Sequence, residues 1–246
     1  MHILIFGATG RTGIHAYKYA LEQGNPIPDP HPPSIKTKHS QPPGHHVTIL
    51  VRNASSIPPQ ENLTIVYGSV TSEADVSKAF TAAGQPIDAV VTCLNARRTS
   101  EFPWAKFLGP PRLLADSTAL VARQLRAQKH KSRLVIMSGQ GVGESWAVTP
   151  WIVRFLIRHS NVGRTYDDMI LVDKEIEGNC GENVAWVSTV AVGLSGGGKK
   201  PVKTFDVRKG GAGWFISRES CAMWMADVAM GKMGEEFDGK RVMVSN

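Results

Sequence analysis

A chain of 246 residues is long enough to close a sizeable core in one α/β unit, and 42% hydrophobic against 20% charged residues is the balance of a globular protein. The formal charge of +7 comes from lysines and arginines scattered without a basic tract, so nucleic acid is not expected as a partner; an anionic cofactor and substrate account for the excess. Cys93, Cys180 and Cys221 are odd in number and far apart, which argues against a disulfide framework or a metal site and predicts a reduced, cytoplasmic protein; no signal segment precedes the first strand and no apolar run has spanning length, so no membrane partner is expected.

The chain opens on His2-Ile3-Leu4-Ile5-Phe6, a short apolar run that reads as a strand, followed at once by Gly7-Ala8-Thr9-Gly10-Arg11-Thr12-Gly13 and a helix-like segment from Ile14 to Gln23. Strand, glycine turn and helix together form the geometry that holds a dinucleotide. Gly7 permits the tight turn, Gly10 lets backbone approach a pyrophosphate, and Gly13 lets the helix pack close to the sheet. The N–H groups of Thr9 to Gly13 then face phosphate, helped by the helix dipole.

Residues 25–44 are proline-rich, carry His31 and His39, and read as an exposed insertion; no cysteine or acidic partners sit at ligand spacing, so no metal is predicted. Val47 to Val51 is the second strand, closed by Arg52. An NAD site places Asp or Glu here; a cation suits the 2′-phosphate of NADP, with Ser55, Ser56 and Arg11 as further contacts. Leu63 to Tyr67 is the third strand, Glu73 to Ala83 a helix, and Ile87 to Leu94 a fourth strand, apolar nearly throughout. Its end, Cys93-Leu94-Asn95, is expected along the cofactor. After a loop from Arg97 to Gly109, a helix is expected over Pro111 to Gln128, and Arg133 to Ser138 is the fifth strand. Val184 to Val190 is the sixth strand, Gly193 to Gly198 a flexible link, Glu219 to Met230 the last long helix with Ser217 as N-cap, and Arg241 to Val244 a final short strand. The sum is an α/β, doubly wound, mainly parallel sheet with helices on both faces, formed by residues 1–246 as one domain.

The spacing Gly-x-x-Gly-x-x-Gly resembles the atypical branch of the short-chain dehydrogenase superfamily. Further motifs agree in chain order: Val47 to Arg52, Asp88-Ala89-Val90-Val91, Ser138 to Ser145, Tyr166-Asp167-Asp168-Met169 through Lys174, Ile216-Ser217-Arg218 and Phe237-Asp238-Gly239-Lys240. Together they resemble the biliverdin-IXβ reductase/flavin reductase-like group of the NmrA-like family. The resemblance implies that Gly-Ser69-Val70 stands where relatives have Gly-Asp-Val touching adenine. It also implies that Ser138, Tyr166 and Lys174 fall where the family has its serine and its tyrosine–lysine pair.

Two departures matter. Tyr166 is followed four residues later by Ile170, and Lys174 lies eight residues on, ~12 Å along a helix, so a direct pair is not expected and the phenol should keep a pKa near ~10. Met169 stands where related reductases often have His. With neither acid in place, solvent becomes the proton source, and Ser138 either orients a substrate carbonyl or caps the strand.

Phe102, Trp104 and Phe107 follow strand four, and Trp146 and Trp151 follow strand five, so a lid over 96–110 and 140–165 with aromatic walls is expected. The reading is an NADPH-dependent oxidoreductase for a planar aromatic, quinone-like or polycyclic small molecule, acting as a monomer or homodimer. The alternatives are a nucleotide-sensing regulator without turnover, or a non-redox isomerase or cyclase on the same scaffold.

Overall fold

A computed structural model describes residues 1–24, 45–53 and 57–246. The 25–44 insertion and Ser55 and Ser56 lie outside the described residues.

The apolar runs become strands β1 (His2–Phe6), β2 (His46–Val51), β3 (Leu63–Tyr67), β4 (Ala89–Thr92), β5 (Ser132–Gly139) and β6 (Val184–Ala191). They pair in parallel in the order β3-β2-β1-β4-β5-β6, and β10 (Lys240–Ser245) extends the sheet beside β6. β8 (Lys203–Asp206) closes the edge antiparallel to β10. The strand order reverses between β1 and β4, so their carboxyl ends flank the crevice where open α/β sheets bind ligands.

Period-two alternation explains the layers. In β1, Ile3 and Ile5 point into one core with Ala16, Tyr17, Met225 and Ala229, whereas Leu4 and Phe6 point into the other with Leu114, Val121, Leu125 and Val172. Helices α1 (Gly13–Gly24) and α6 (Arg218–Ala229) cover the first face. The second is covered by α2 (Glu73–Thr81), α3 (Leu113–Ala127) and α5 (Gly163–Asn179). Each large apolar side chain buried this way stabilises the sheet by about 1.5–3 kcal/mol. This is the doubly wound Rossmann architecture expected from the strand and helix rhythm.

Two expectations are corrected. The link at 193–198 instead begins with a strand, β7 (Gly193–Ser195), which pairs in parallel with β9 (Phe215–Ser217); Gly193 N–H donates to the Trp214 carbonyl over 3.1 Å. Glycine content suggested freedom, but the neighbouring backbone supplies partners from outside the local sequence. Within the stretch expected as lid, residues 151–159 form a helix, α4 (Trp151–His159). β4 is shorter than its apolar run, because Ile87 N–H is taken by the Gln128 side chain and the Asp88 carboxylate accepts from His2 N–H and the His130 ring. Ser217 caps α6 as expected, accepting from Ser220 N–H.

Candidate active site

The glycine turn is built by close packing. Gly7 adopts φ +79°, and a Cβ there would stand 2.5 Å from the Cys93 carbonyl oxygen, so the turn docks on the end of β4. A Cβ on Gly13 would collide with the Gly7 carbonyl, which fixes how near α1 starts to β1. Gly10 N–H closes the turn onto the Gly7 carbonyl at 2.8 Å, and Ile14 N–H bonds the Gly10 carbonyl at 3.0 Å. Among the described residues, Arg11 and Thr12 N–H find no acceptor. Two donors at a helix start, beside the sheet's switch point, fit a nucleotide pyrophosphate. Thr12 is buried and Thr9 exposed beside them.

The other cofactor candidates line the same carboxyl edge. Arg52 is exposed directly beyond β2. Ser69 is held by its N–H to the Asp75 carboxylate at 2.8 Å, and Val70 packs against the second core. Cys93 contributes backbone only: its thiol is buried and burial drives its pKa far up. Leu94 is half-buried against Gly7, and Asn95 is exposed.

Arg11 is not free. It pairs with Glu101, 2.8 Å away, on the loop after β4. Arg218, the first residue of α6, lies near enough that burial first, and repulsion from Arg11 second, lower its pKa. Arg11 holds the Glu101 carboxylate directly, while Arg218 feels its charge without bonding to it. Arg218 belonged to a recognised motif but received no role, because a distance of 207 positions in sequence hides its approach to Arg11.

On the other side of β4, Ser138 ends β5 with its side chain buried and its hydroxyl unpartnered among the described residues. Tyr166, in the first turn of α5, reaches the same strand end: its hydroxyl stands 3.1 Å from where a Cβ on Gly139 would be. The expectation of an ordinary phenol is corrected, since burial pushes Tyr166 up to about 12. Lys174 does not join them. It is exposed on α5, and no bond links it to Tyr166 among the described residues. Met169 is buried in the second core, where it offers no proton.

Sequence reasoning missed Asp168. Its carboxylate is fully buried and accepts from Leu114 N–H at 2.8 Å and Ala115 N–H at 3.0 Å. It therefore caps α3 from α5, a service that Arg112, at the N-cap position, does not provide. The apolar company of Asp168 in α5 was the only signal.

The aromatic residues form no closed wall. Phe102, Trp104 and Trp151 are exposed, and Trp104 Nε1 donates to the His159 carbonyl at 2.7 Å. A cavity of about 210 Å³ opens at the ends of β5 and β10, lined by Gln140, Val148, Pro150, Trp214 and Met243.

The fold is shared with solved structures of low sequence identity. A short-chain dehydrogenase/reductase from Veillonella parvula, solved in complex with NADP, aligns over 100% of this chain and 94% of its own with TM-score 0.70 and 14% identity. An anaerobilin reductase from Escherichia coli O157:H7 aligns over 100% and 97% with TM-score 0.66 and 14% identity. A Rossmann-fold NAD(P)-binding protein from Shigella flexneri aligns over 100% and 93% with TM-score 0.63 and 16% identity. The sequence profile of a family described as NAD(P)H-binding matches residues 36–231, well over half of the chain. The chain belongs to the NAD(P)H-binding family.

Proposed function

We propose that the protein is an NADPH-dependent oxidoreductase that reduces a planar aromatic, quinone-like or polycyclic small molecule. The observation that carries this reading is the placement of Ser138 and Tyr166 across β4 from the glycine turn, at the same carboxyl edge. A dinucleotide anchored at Thr9 to Gly13 and passing Cys93, Leu94 and Asn95 brings its nicotinamide toward β5. The bound cofactor supplies hydride chemistry. The Ser138 hydroxyl orients a substrate carbonyl, and the open edge admits the water that supplies the proton. Arg52 favours the 2′-phosphate of NADP, and Arg11 joins it on leaving Glu101.

The supporting relatives are an NADP complex and a reductase. The test is NADPH loss on mixing with flavins, quinones and polycyclic ketones, with Ser138→Ala as comparison. Saturable, acceptor-dependent loss that weakens in Ser138→Ala supports the reading; no loss with any acceptor overturns it.

The exposed Lys174, which has no partner among the described residues, favours a second reading, a nucleotide-sensing protein without turnover. It predicts NADPH binding, no consumption, and a protein that copurifies only with nucleotide present.

A further inference from the structure

Helix α4 is apolar on both sides, yet none of its residues is buried. Val153, Leu156 and Ile157 are half-buried on the inner side, and the δ-carbon of Ile157 sits against Gly141. At 100° per residue, Trp151, Ile152, Phe155 and His159 fall within one ~100° arc on the other side. That arc faces outward: Trp151 is 72% exposed and Phe155 47%. The helix is tied to the loop after β4, because Trp104 donates to the His159 carbonyl and Asn161 donates to the carbonyls of Trp104 and Ala105. That loop adds Phe102, 61% exposed, its ring 5.2 Å from Trp104, and Leu108, 56% exposed. Within the helix the His159 ring packs 4.7 Å from Phe155. Exposed apolar side chains gathered on two tethered segments of a globular protein mark an interaction surface.

Charge identifies the partner. Segments 97–109 and 146–164 contain Arg97, Arg98, Lys106, Arg154, Arg158 and Arg164 against one carboxylate, Glu101. Glu101 is paired with Arg11, and among the described residues none of the six cations forms a salt bridge. Arg158 and Arg164 instead lie over the rings of Trp146 and Phe107, 4.9 and 5.9 Å from their centres. An aromatic and aliphatic stripe bordered by uncompensated arginines matches the acyl boundary and headgroups of an anionic bilayer. A second copy on this face would oppose like charges. A nucleic acid would satisfy the cations but leave Ile152 and Leu108 without an apolar partner. No helix among the described residues is long and apolar enough to cross a membrane, so the contact is interfacial. Spanning length, the criterion behind the sequence-based expectation of no membrane partner, does not detect such a face.

We propose that α4 and the loop after β4 dock on an anionic lipid surface, Trp151, Ile152, Phe155 and Phe102 entering the interface and the cations around them facing the headgroups, except Arg98, which is turned onto the carbonyls of Phe102 and Pro103. The proposal is independent of the reaction.

The experiment is co-sedimentation of the full chain with vesicles of phosphatidylcholine alone and of an equal mixture of phosphatidylcholine and phosphatidylserine, at low and high salt. The expected result is binding to the mixed vesicles only, weakened by salt. Arg154→Glu/Arg158→Glu should lower it on the order of thirtyfold or more, as befits two near-surface cations. Ile152→Asp/Phe155→Asp should abolish it. Unchanged melting temperature and NADPH affinity establish that both variants are folded, which separates failure of docking from failure of the nucleotide site. Three results would overturn the proposal: no binding to mixed vesicles, binding unaffected by Ile152→Asp/Phe155→Asp, or a dimer in solution that those substitutions dissociate. Capture by a single-stranded oligonucleotide without vesicle binding would replace it with a nucleic-acid surface.

Discussion

The hydroxyl of Tyr166 fills the space beside Gly139, 3.1 Å from where that residue's Cβ would be. The residue after Ser138 is therefore small because a phenol from α5 covers the end of β5. Replacing Gly139 with Val should push the ring aside and cost about 1–3 kcal/mol, as overpacking does. A lower melting temperature together with a weakened effect of Ser138→Ala checks it.

The same burial makes Tyr166 a poor acid. Burial pushes its pKa up to about 12, further from the near-neutral value that suits a general acid. Tyr166→Phe should cost less than ~tenfold in kcat, against the ~10²–10⁴-fold of a general acid. Abolished turnover with intact NADPH affinity would assign the proton to Tyr166.

Arg52→Asp should weaken NADPH and spare NADH. An arginine–phosphate hydrogen bond is worth about 1.5–3 kcal/mol, or roughly ten- to a hundredfold in affinity. Calorimetric titration of both nucleotides checks the ratio.

The fold was legible because β1, β2, β4 and β5 are apolar runs separated by helical periodicity, and because glycines at 7, 10 and 13 fix a turn whose packing is local. The rest depended on contacts between distant positions. Gly193 looked like a link until Trp214 supplied its partner, and Asp168 had no role until the first turn of α3 was found to rest on it. At the site, Ser138 and Tyr166 were named in sequence, but their meeting at Gly139 and the exposure of Lys174 belong to the helix's rotation. No spacing rule states that rotation.

Asp168→Ala should destabilise the protein by about 1–3 kcal/mol, since two buried N–H groups lose their acceptor. Asp168→Asn retains an oxygen and should recover part of the loss. Denaturant midpoints of the three proteins check the order.

Acid should destabilise the fold in two stages. Burial lowers the pKa of His2, His45 and His46. Burial alone would raise Asp88, but the hydrogen bonds from His2 N–H and His130 outweigh it, and its pKa is lowered. In all four, protonation costs more in the folded chain than in the unfolded one. The stability these four groups contribute is therefore complete above about pH 6.5, declines below it as unfolded histidines charge, and declines again below about 4 as the unfolded Asp88 protonates. His2→Asn should shrink the first decline, read as melting temperature against pH.

The central claim is that this crevice passes hydride from NADPH to a flat acceptor. The most direct measurement follows nicotinamide absorbance with purified protein, NADPH and a quinone, and identifies the product. Saturable NADPH oxidation matched one-to-one by reduced acceptor, slower in Arg52→Asp, is the predicted result. Tight NADPH binding with no oxidation by any flavin, quinone or polycyclic ketone would contradict it.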